Sequence, residues 1–428
     1  MNLKIESFFV QGLWGDKDIS LNLNYDFNFI IGPNGIGKTT LLNLVTSILT
    51  VDIDSIAKIH FDNATVRFYG DDGYLYDVDV SKGVGDNDEC IINYIISSKD
   101  SGENVFSRMF RTVLHDGMDD LSRTRRISRR YYHNEDVKSY LEKKIKVIWL
   151  PIGRFNPVSD RDYKLSAYGN SVDMRLGEVL ENFVKYSSLI NKSISIEMAE
   201  FQKDALLSSI DSSYREGLGK GSHKITPSND KASLMEVFKE VGIPESKYKR
   251  RVSRMFTMLE RVLDKIKSEQ ETDLSQEEIT NAFSLSRSRY LVERYNEYKN
   301  KKDEISSRLN TFIDNINSLF EGRKIFYISG SNEISFICGQ NDGLSLFDLS
   351  SGEKQLIILL GEVLLNENAP CVYIADEPEI SLHVSWQEKL VESMSKLNSK
   401  MQVILATHSP DIVSIRTNKI IDMEEGLK

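Results

Sequence analysis

Behind the apolar stretch Phe27 to Ile31 comes Gly32-Pro33-Asn34-Gly35-Ile36-Gly37-Lys38-Thr39-Thr40. Glycines at this spacing let successive backbone N–H groups turn inward around an anion, a lysine reaches terminal phosphates, and a hydroxyl at the start of the next helix suits Mg²⁺. The chemistry needs a strand before the loop and a helix after it, so that the helix N-terminus faces the phosphate. Thr40-Leu41-Leu42 opens such a helix, and Asn34 to Thr40 are the expected phosphate-binding residues. Far along the chain, the apolar run Val372 to Ala375 delivers Asp376-Glu377, and Gln402 to Leu405 runs into Ala406-Thr407-His408. Adjacent carboxylates at a strand end near a phosphate loop can divide the work: Asp376 supports Mg²⁺ with Thr39, and Glu377 activates water. His408, which alone would more often cap or pack, in this company suits donation to a γ-phosphate. Ser350-Ser351-Gly352, opening a helix at about Glu353, offers an anion a hydroxyl, N–H groups and a positive dipole end, and is also an ordinary helix cap.

The elements that must position these groups are legible in outline. Residues 1 to 31 alternate as short strands, including Ile19 to Leu23 and Phe27 to Ile31. Lys58 to Phe61, Thr65 to Tyr69 and Tyr74 to Val80 read as further strands, split by Asn63, Gly70 to Gly73 and Gly83 into antiparallel hairpins. The strand Lys146 to Leu150 stops at Pro151. Helical patterning then runs from about Val172 to Phe320, with Phe256, Leu259, Val262, Leu263 and Ile266 at helical spacing and a loop expected at Gly217 to Asp230. Strand signals return at Lys324, so residues 1–171, 172–323 and 324–428 read as an N-terminal lobe, a helical insertion and a C-terminal lobe.

Composition narrows the class. The chain has 428 residues, 40% of them hydrophobic, which is ample for a core. No apolar run approaches the roughly 18 residues that cross a bilayer, and Met1 to Glu6 alternates like a strand instead of a signal peptide, so a cytoplasmic protein without membrane partners is expected. Cys90, Cys338 and Cys371 lack metal-like pairing. A net charge of −10 argues against a chain coated in nucleic acid, yet leaves room for a local basic stripe.

The four motifs together resemble those of the ATP-binding-cassette ATPases, with GPNGIGKT as Walker A, LSSGEKQ as signature, VYIADE as Walker B and Ala406-Thr407-His408 as the switch. The resemblance implies an α/β fold: a P-loop mixed sheet with an antiparallel β lobe, here carrying a helical insertion. It implies ATP and Mg²⁺ as cofactors, Glu377 as general base, and Glu379 to His383 as a loop crossing a dimer interface. It further implies that Ser350, Ser351, Gly352 and Glu353 serve the ATP held by another protomer, so that the chain assembles with itself. The family's usual metal-contacting glutamine between the lobes has no counterpart, because no glutamine occurs from Gly12 to Phe201. Arg154 stands near the expected place and cannot bind a metal, which suits a coupling role and slow or partner-dependent hydrolysis.

Transporter subunits of that family place the signature soon after Walker A, whereas a helical block separates Lys38 from Ser350 here. Asp376-Glu377-Pro378-Glu379-Ile380-Ser381-Leu382-His383 and Ala406 to Pro410 look like the soluble branch that holds the OLD family and the ATPase subunits of anti-phage systems such as PtuA and AriA. OLD proteins continue into a Toprim nuclease, but only Ser409 to Lys428 follow His408, and no HNH-like array is present. The resemblance thus implies a sensor ATPase whose effector, a Toprim or HNH nuclease or a toxin, is a separate chain. A DNA-repair or clamp role, as in RecF and SMC relatives, is the alternative. Arg123 to Tyr132, with five arginines and two tyrosines, suits nucleic acid, a solvated loop or a protein interface. Lys247 to Arg254 reads as a charged helix face, and Trp14 suits either a base or the core of a small β lobe.

Overall fold

The computed structural model describes residues 3–84, 89–99, 103–113, 134–150, 171–210, 227–267 and 276–426. The chain forms two compact units, Met1–Lys185 with Leu309–Lys428, and Tyr186–Arg308. It opens with β1 (Lys4–Leu13), β2 (Lys17–Asn22) and β3 (Phe27–Ile31), followed by α1 (Lys38–Thr50) and α2 (Ile53–Lys58). Strands β4 (Asn63–Tyr69), β5 (Leu75–Val84), β6 (Glu89–Ser98) and β7 (Glu103–Val113) come next, then α3 (Asn134–Lys144) and β8 (Val147–Leu150). Four helices follow: α4 (Ser171–Ile210), α5 (Pro227–Glu240), α6 (Glu245–Lys267) and α7 (Gln276–Phe320). The remainder is β9 (Ile325–Ile328), β10 (Ile334–Cys338), β11 (Asn341–Leu344), α8 (Ser351–Leu365), β12 (Cys371–Asp376), α9 (Val384–Leu397), β13 (Met401–Ala406), α10 (Pro410–Val413) and β14 (Ile420–Asp422).

Among the described residues the first unit holds three sheets. A five-stranded parallel sheet runs β14-β3-β13-β12-β8, and a six-stranded antiparallel sheet runs β2-β1-β4-β5-β6-β7. The third is the antiparallel trio β11-β10-β9. In β4, Ala64, Val66 and Phe68 are buried and their neighbours are not, the period-two pattern of a strand with one covered face. Every residue of β12 and β13 is buried, as expected of parallel strands covered on both sides. Helix α1 buries Leu41, Leu42, Leu44, Val45, Thr46, Ser47, Ile48 and Leu49, so most of it lies in the interior. Leu41, Leu44 and Ile48 share one core with Val66 and Val78 of the antiparallel sheet and Ile374 and Ile404 of the parallel one. Cutting Leu44 to alanine there should cost about 2–5 kcal/mol. The phosphate loop is therefore anchored to this core.

In the second unit, Leu234, Tyr248, Val252, Phe256 and Val292 form one small core, and Phe201, Val237, Tyr295 and Tyr298 another. Lys247, Lys249, Arg250, Arg251 and Arg254 are exposed on α6 while Tyr248 and Val252 face inward. No helix among the described residues is long and apolar enough to cross a membrane.

Two expectations change. Lys58 ends a helix instead of opening a strand, because Asp52 accepts from Ser55 N at 3.1 Å and buries Ile53, Ile56 and Ala57 on one helical face. Pro227 to Asp230 begin α5 instead of ending a loop, proline being well suited to a first helical turn. Residues 217–226 of that loop, Arg123 to Tyr132, and Arg154 lie outside the described residues.

Candidate functional site

Because β3, β13, β12 and β8 are parallel, their carboxyl ends share one edge, where open α/β sheets bind ligands. The register sets Asp376 beside Ala406 and Ala406 beside Ile30. The edge therefore collects the loop after β3, the carboxylates after β12 and the Thr407-His408 pair after β13.

Gly37 caps α1 with φ of 107°, a left-handed conformation that favours glycine, and a Cβ there would lie 2.0 Å from Trp14 Cη2. Trp14 is 40% exposed, so it stands against the phosphate loop and not in the core. Ile36 is buried beneath the loop, whereas Asn34, Gly35 and Thr39 are exposed and Thr40 half-buried. Lys38 is buried, and its Nζ donates to the carbonyls of Gly32 at 2.8 Å and Pro33 at 3.2 Å. Burial lowers its pKa, against the opposing pull of Glu377, Asp376 and Glu379. The three carboxylates thus face the lysine of the loop.

Asp376 is 3% exposed, and neither carboxylate oxygen meets hydrogen-bond geometry with a partner among the described residues. Burial raises its pKa, with the Thr39 hydroxyl and Lys38 pulling the other way and Glu377 and Glu379 adding to the rise. An orphaned, buried carboxylate beside a hydroxyl and exposed backbone is a donor set that suits Mg²⁺. Glu377 has φ of 42°, and its N–H donates to Ala406 O at 2.8 Å. Its side chain is partly exposed, with Oε1 3.8 Å from His408 Nε2. Lys38, Asp376, Glu377 and His408 are thereby gathered at one place.

The Ser350 to Glu353 turn packs on the loop after β12. Ser350 caps α8 in a reciprocal box: Glu353 N donates to Ser350 Oγ at 3.4 Å, and Ser350 N donates to Glu353 Oε2 at 2.8 Å. Burial pushes Glu353 up, but Lys324, donating to Oε1 at 2.6 Å, and the Ser350 contacts outweigh it and hold the carboxyl below its usual value. Ser350 and Ser351 are exposed. Gly352 is buried, and a Cβ on it would sit 2.0 Å from Ser381 O. Farther along α8, Lys354 donates to Asp173 at 2.7 Å and Arg175 pairs with Glu362, which ties α8 to the start of α4.

Two contacts were not anticipated from the sequence, that of Gln387 and that of Glu379, which was expected only as part of an interface loop. Glu379 accepts from Thr407, His408 and Ser409. Gln387 donates to Leu382 O at 2.9 Å and accepts from Ser409 Oγ at 2.6 Å. Their partners lie 22 to 30 residues away in some of these bonds, beyond any local spacing rule. The sequence placed Glu379 in the loop expected at a dimer interface, not against residue 408.

A glycine loop with its lysine, paired carboxylates and a histidine on the carboxyl edge of a parallel sheet define the head of a P-loop ATPase. Within that class the chain belongs to the AAA ATPase domain family AAA_15, whose model matches residues 3–413. It is similar to the Retron Vc95 probable ATPase of Vibrio cholerae serotype O1 biovar El Tor, at 28% identity over 152 residues, 31% of this chain and 28% of the relative. Similarity to the Retron Ec83 probable ATPase of Escherichia coli is 27% over 150 residues, 32% of this chain and 27% of the relative. The chain thus spans less than a third of the length of these curated relatives. Among solved structures, the Smc head domain with an extended coiled coil bound to the C-terminal domain of ScpA, from Pyrococcus furiosus, matches over 100% of this chain and 95% of that one, at 13% identity and a TM-score of 0.41.

Proposed function

We propose that the protein is a cytoplasmic ATP-hydrolysing switch that assembles with itself through ATP and controls a separate effector chain in anti-phage defence. The observation that carries the catalytic part is the buried Asp376 beside Thr39 and Lys38, its oxygens without a hydrogen-bond partner among the described residues, with Glu377 and His408 paired next to it. Residues Asn34 to Thr40 cradle the phosphates, and Thr39 and Asp376 hold Mg²⁺, which when bound neutralises charge on the phosphates. Glu377 takes the proton of an attacking water as the bond to the leaving ADP oxygen breaks, and His408 donates toward the γ-phosphate. Arg154 is proposed to couple nucleotide state to the β lobe.

The exposed Ser350 and Ser351 serve the ATP of a second copy. Support for the defence setting comes from the Asp376 to His383 pattern and the two retron ATPases. A DNA-bound clamp is a second reading, favoured by the exposed Lys247, Lys249, Arg250, Arg251 and Arg254 on α6. The mass of Glu377→Gln protein in solution, with and without ATP and Mg²⁺, tests assembly. A rise to at least a dimer with ATP is expected; an unchanged monomer that binds ATP contradicts the shared site.

A further inference from the structure

Glu379 gathers the loop after β13 onto a single atom. Its Oε1 accepts from Thr407 Oγ1 at 2.7 Å, His408 N at 2.7 Å and Ser409 N at 3.2 Å. Its Oε2 is buried and has no hydrogen-bond partner among the described residues. Charge-assisted bonds of this kind are among the stronger ones, and three on one oxygen fix three successive residues. Gln387 ties the same two loops again, donating to Leu382 O and accepting from Ser409 Oγ. The loop that Glu379 begins also carries Ser381, whose carbonyl is pressed against Gly352 so closely that only a glycine fits. A continuous path therefore runs from the exposed Ser350 turn, through Gly352, Ser381 and Glu379, to the backbone of His408.

We infer that Glu379 is a positioning residue: it fixes His408 through that residue's own N–H and so sets the ring against Glu377. The inference rests on the ATPase reading above. The action of Glu379 runs through the backbone of His408. The alternative, a carboxylate that merely satisfies buried donors, predicts loss of stability without a specific loss of turnover.

A mutant cycle of Glu379→Ala, His408→Ala and the double variant separates the two, with turnover, KM and ATP affinity measured on each. Glu379→Ala should lower kcat by about 10- to 100-fold, the scale of a misplaced catalytic group, with KM and affinity changed less than about twofold. In the His408→Ala background it should lower kcat no further, and Glu379→Gln, which keeps the Oε1 acceptor, should recover most of the rate. Multiplicative losses, or a raised KM at unchanged kcat, overturn the inference. Glu379→Asp covers a failure of the alanine variant to fold: it keeps the charge but withdraws it by one methylene, and wild-type kcat in it also overturns the inference. Amide exchange at His408 and Ser409 without nucleotide is the readout independent of hydrolysis. Faster exchange in Glu379→Ala than in Glu379→Gln supports the carboxylate's hold even if the wild type proves inactive, in which case the ATPase reading alone fails. Equal exchange in wild type and Glu379→Ala overturns the hold itself.

Discussion

Asp376→Asn should stabilise the nucleotide-free protein while weakening its response to Mg²⁺ and ATP. In the folded chain both oxygens of Asp376 are buried and meet hydrogen-bond geometry with no partner among the described residues, and burial has raised its pKa above the ordinary 3.8. Leaving such a group charged and unsatisfied costs about 1–3 kcal/mol, of which the Thr39 hydroxyl and Lys38 return a part. A neutral amide of the same shape should therefore gain about 1–2 kcal/mol, a rise in melting temperature of roughly 2–8 °C. The pH dependence has a definite sign. A carboxylate with a raised folded pKa is protonated more readily in the folded state, so folding loses stability as pH rises from the unfolded value through the folded one. The advantage of Asp376→Asn should be full at neutral pH and vanish below about pH 4. With ATP and Mg²⁺ at a hundred times Kd, wild type should gain about 2.7 kcal/mol, and Asp376→Asn far less, so the order of melting temperatures inverts. Thermal melts of both proteins across pH, with and without the ligands, read all of this. A variant that melts lower than wild type at neutral pH without ligand refutes the claim that Asp376 is held under strain for a cation.

Gly352→Ala should reduce ATP-driven assembly while leaving nucleotide binding intact, because its methyl would meet Ser381 O at 2.0 Å and displace the loop; overpacking of this kind costs about 1–3 kcal/mol, and solution mass with a binding assay would reveal it. Arg175→Ala should destabilise the first unit by about 3–5 kcal/mol, since it strips the partner from Glu362, whose pKa burial already raises; denaturant unfolding should show the loss, and Glu362→Leu added to Arg175→Ala should recover much of it.

What was legible in the sequence follows from how local each signal is. The loop Gly32 to Thr39 announces itself, because a phosphate cradle needs glycines at fixed intervals after a strand, and Asp376-Glu377 needs only an apolar run before it. Ser350 and Glu353 form a capping box within four residues, so the turn was readable as a helix start. The strand expected over Lys58 to Phe61 failed because a cap at Asp52 decided the local structure, a short helix that periodicity over four residues does not separate from a strand. The order of the parallel sheet, with β13 between β3 and β12, comes from packing across more than three hundred residues of chain. Glu379 was read only as the start of an interface loop for the same reason: a carboxylate in a loop says nothing of three donors near residue 408 until the fold places them.

The central claim is that Glu377 works as the base of an ATPase whose nucleotide is held by Lys38. The direct measurement is phosphate release from ATP in a single turnover, alongside nucleotide binding, for wild type, Lys38→Ala and Glu377→Gln. Lys38→Ala should lose binding, and Glu377→Gln should bind as wild type does but turn over at least about 100-fold more slowly, the scale of removing a general base. Hydrolysis by Glu377→Gln at the wild-type rate would contradict the account.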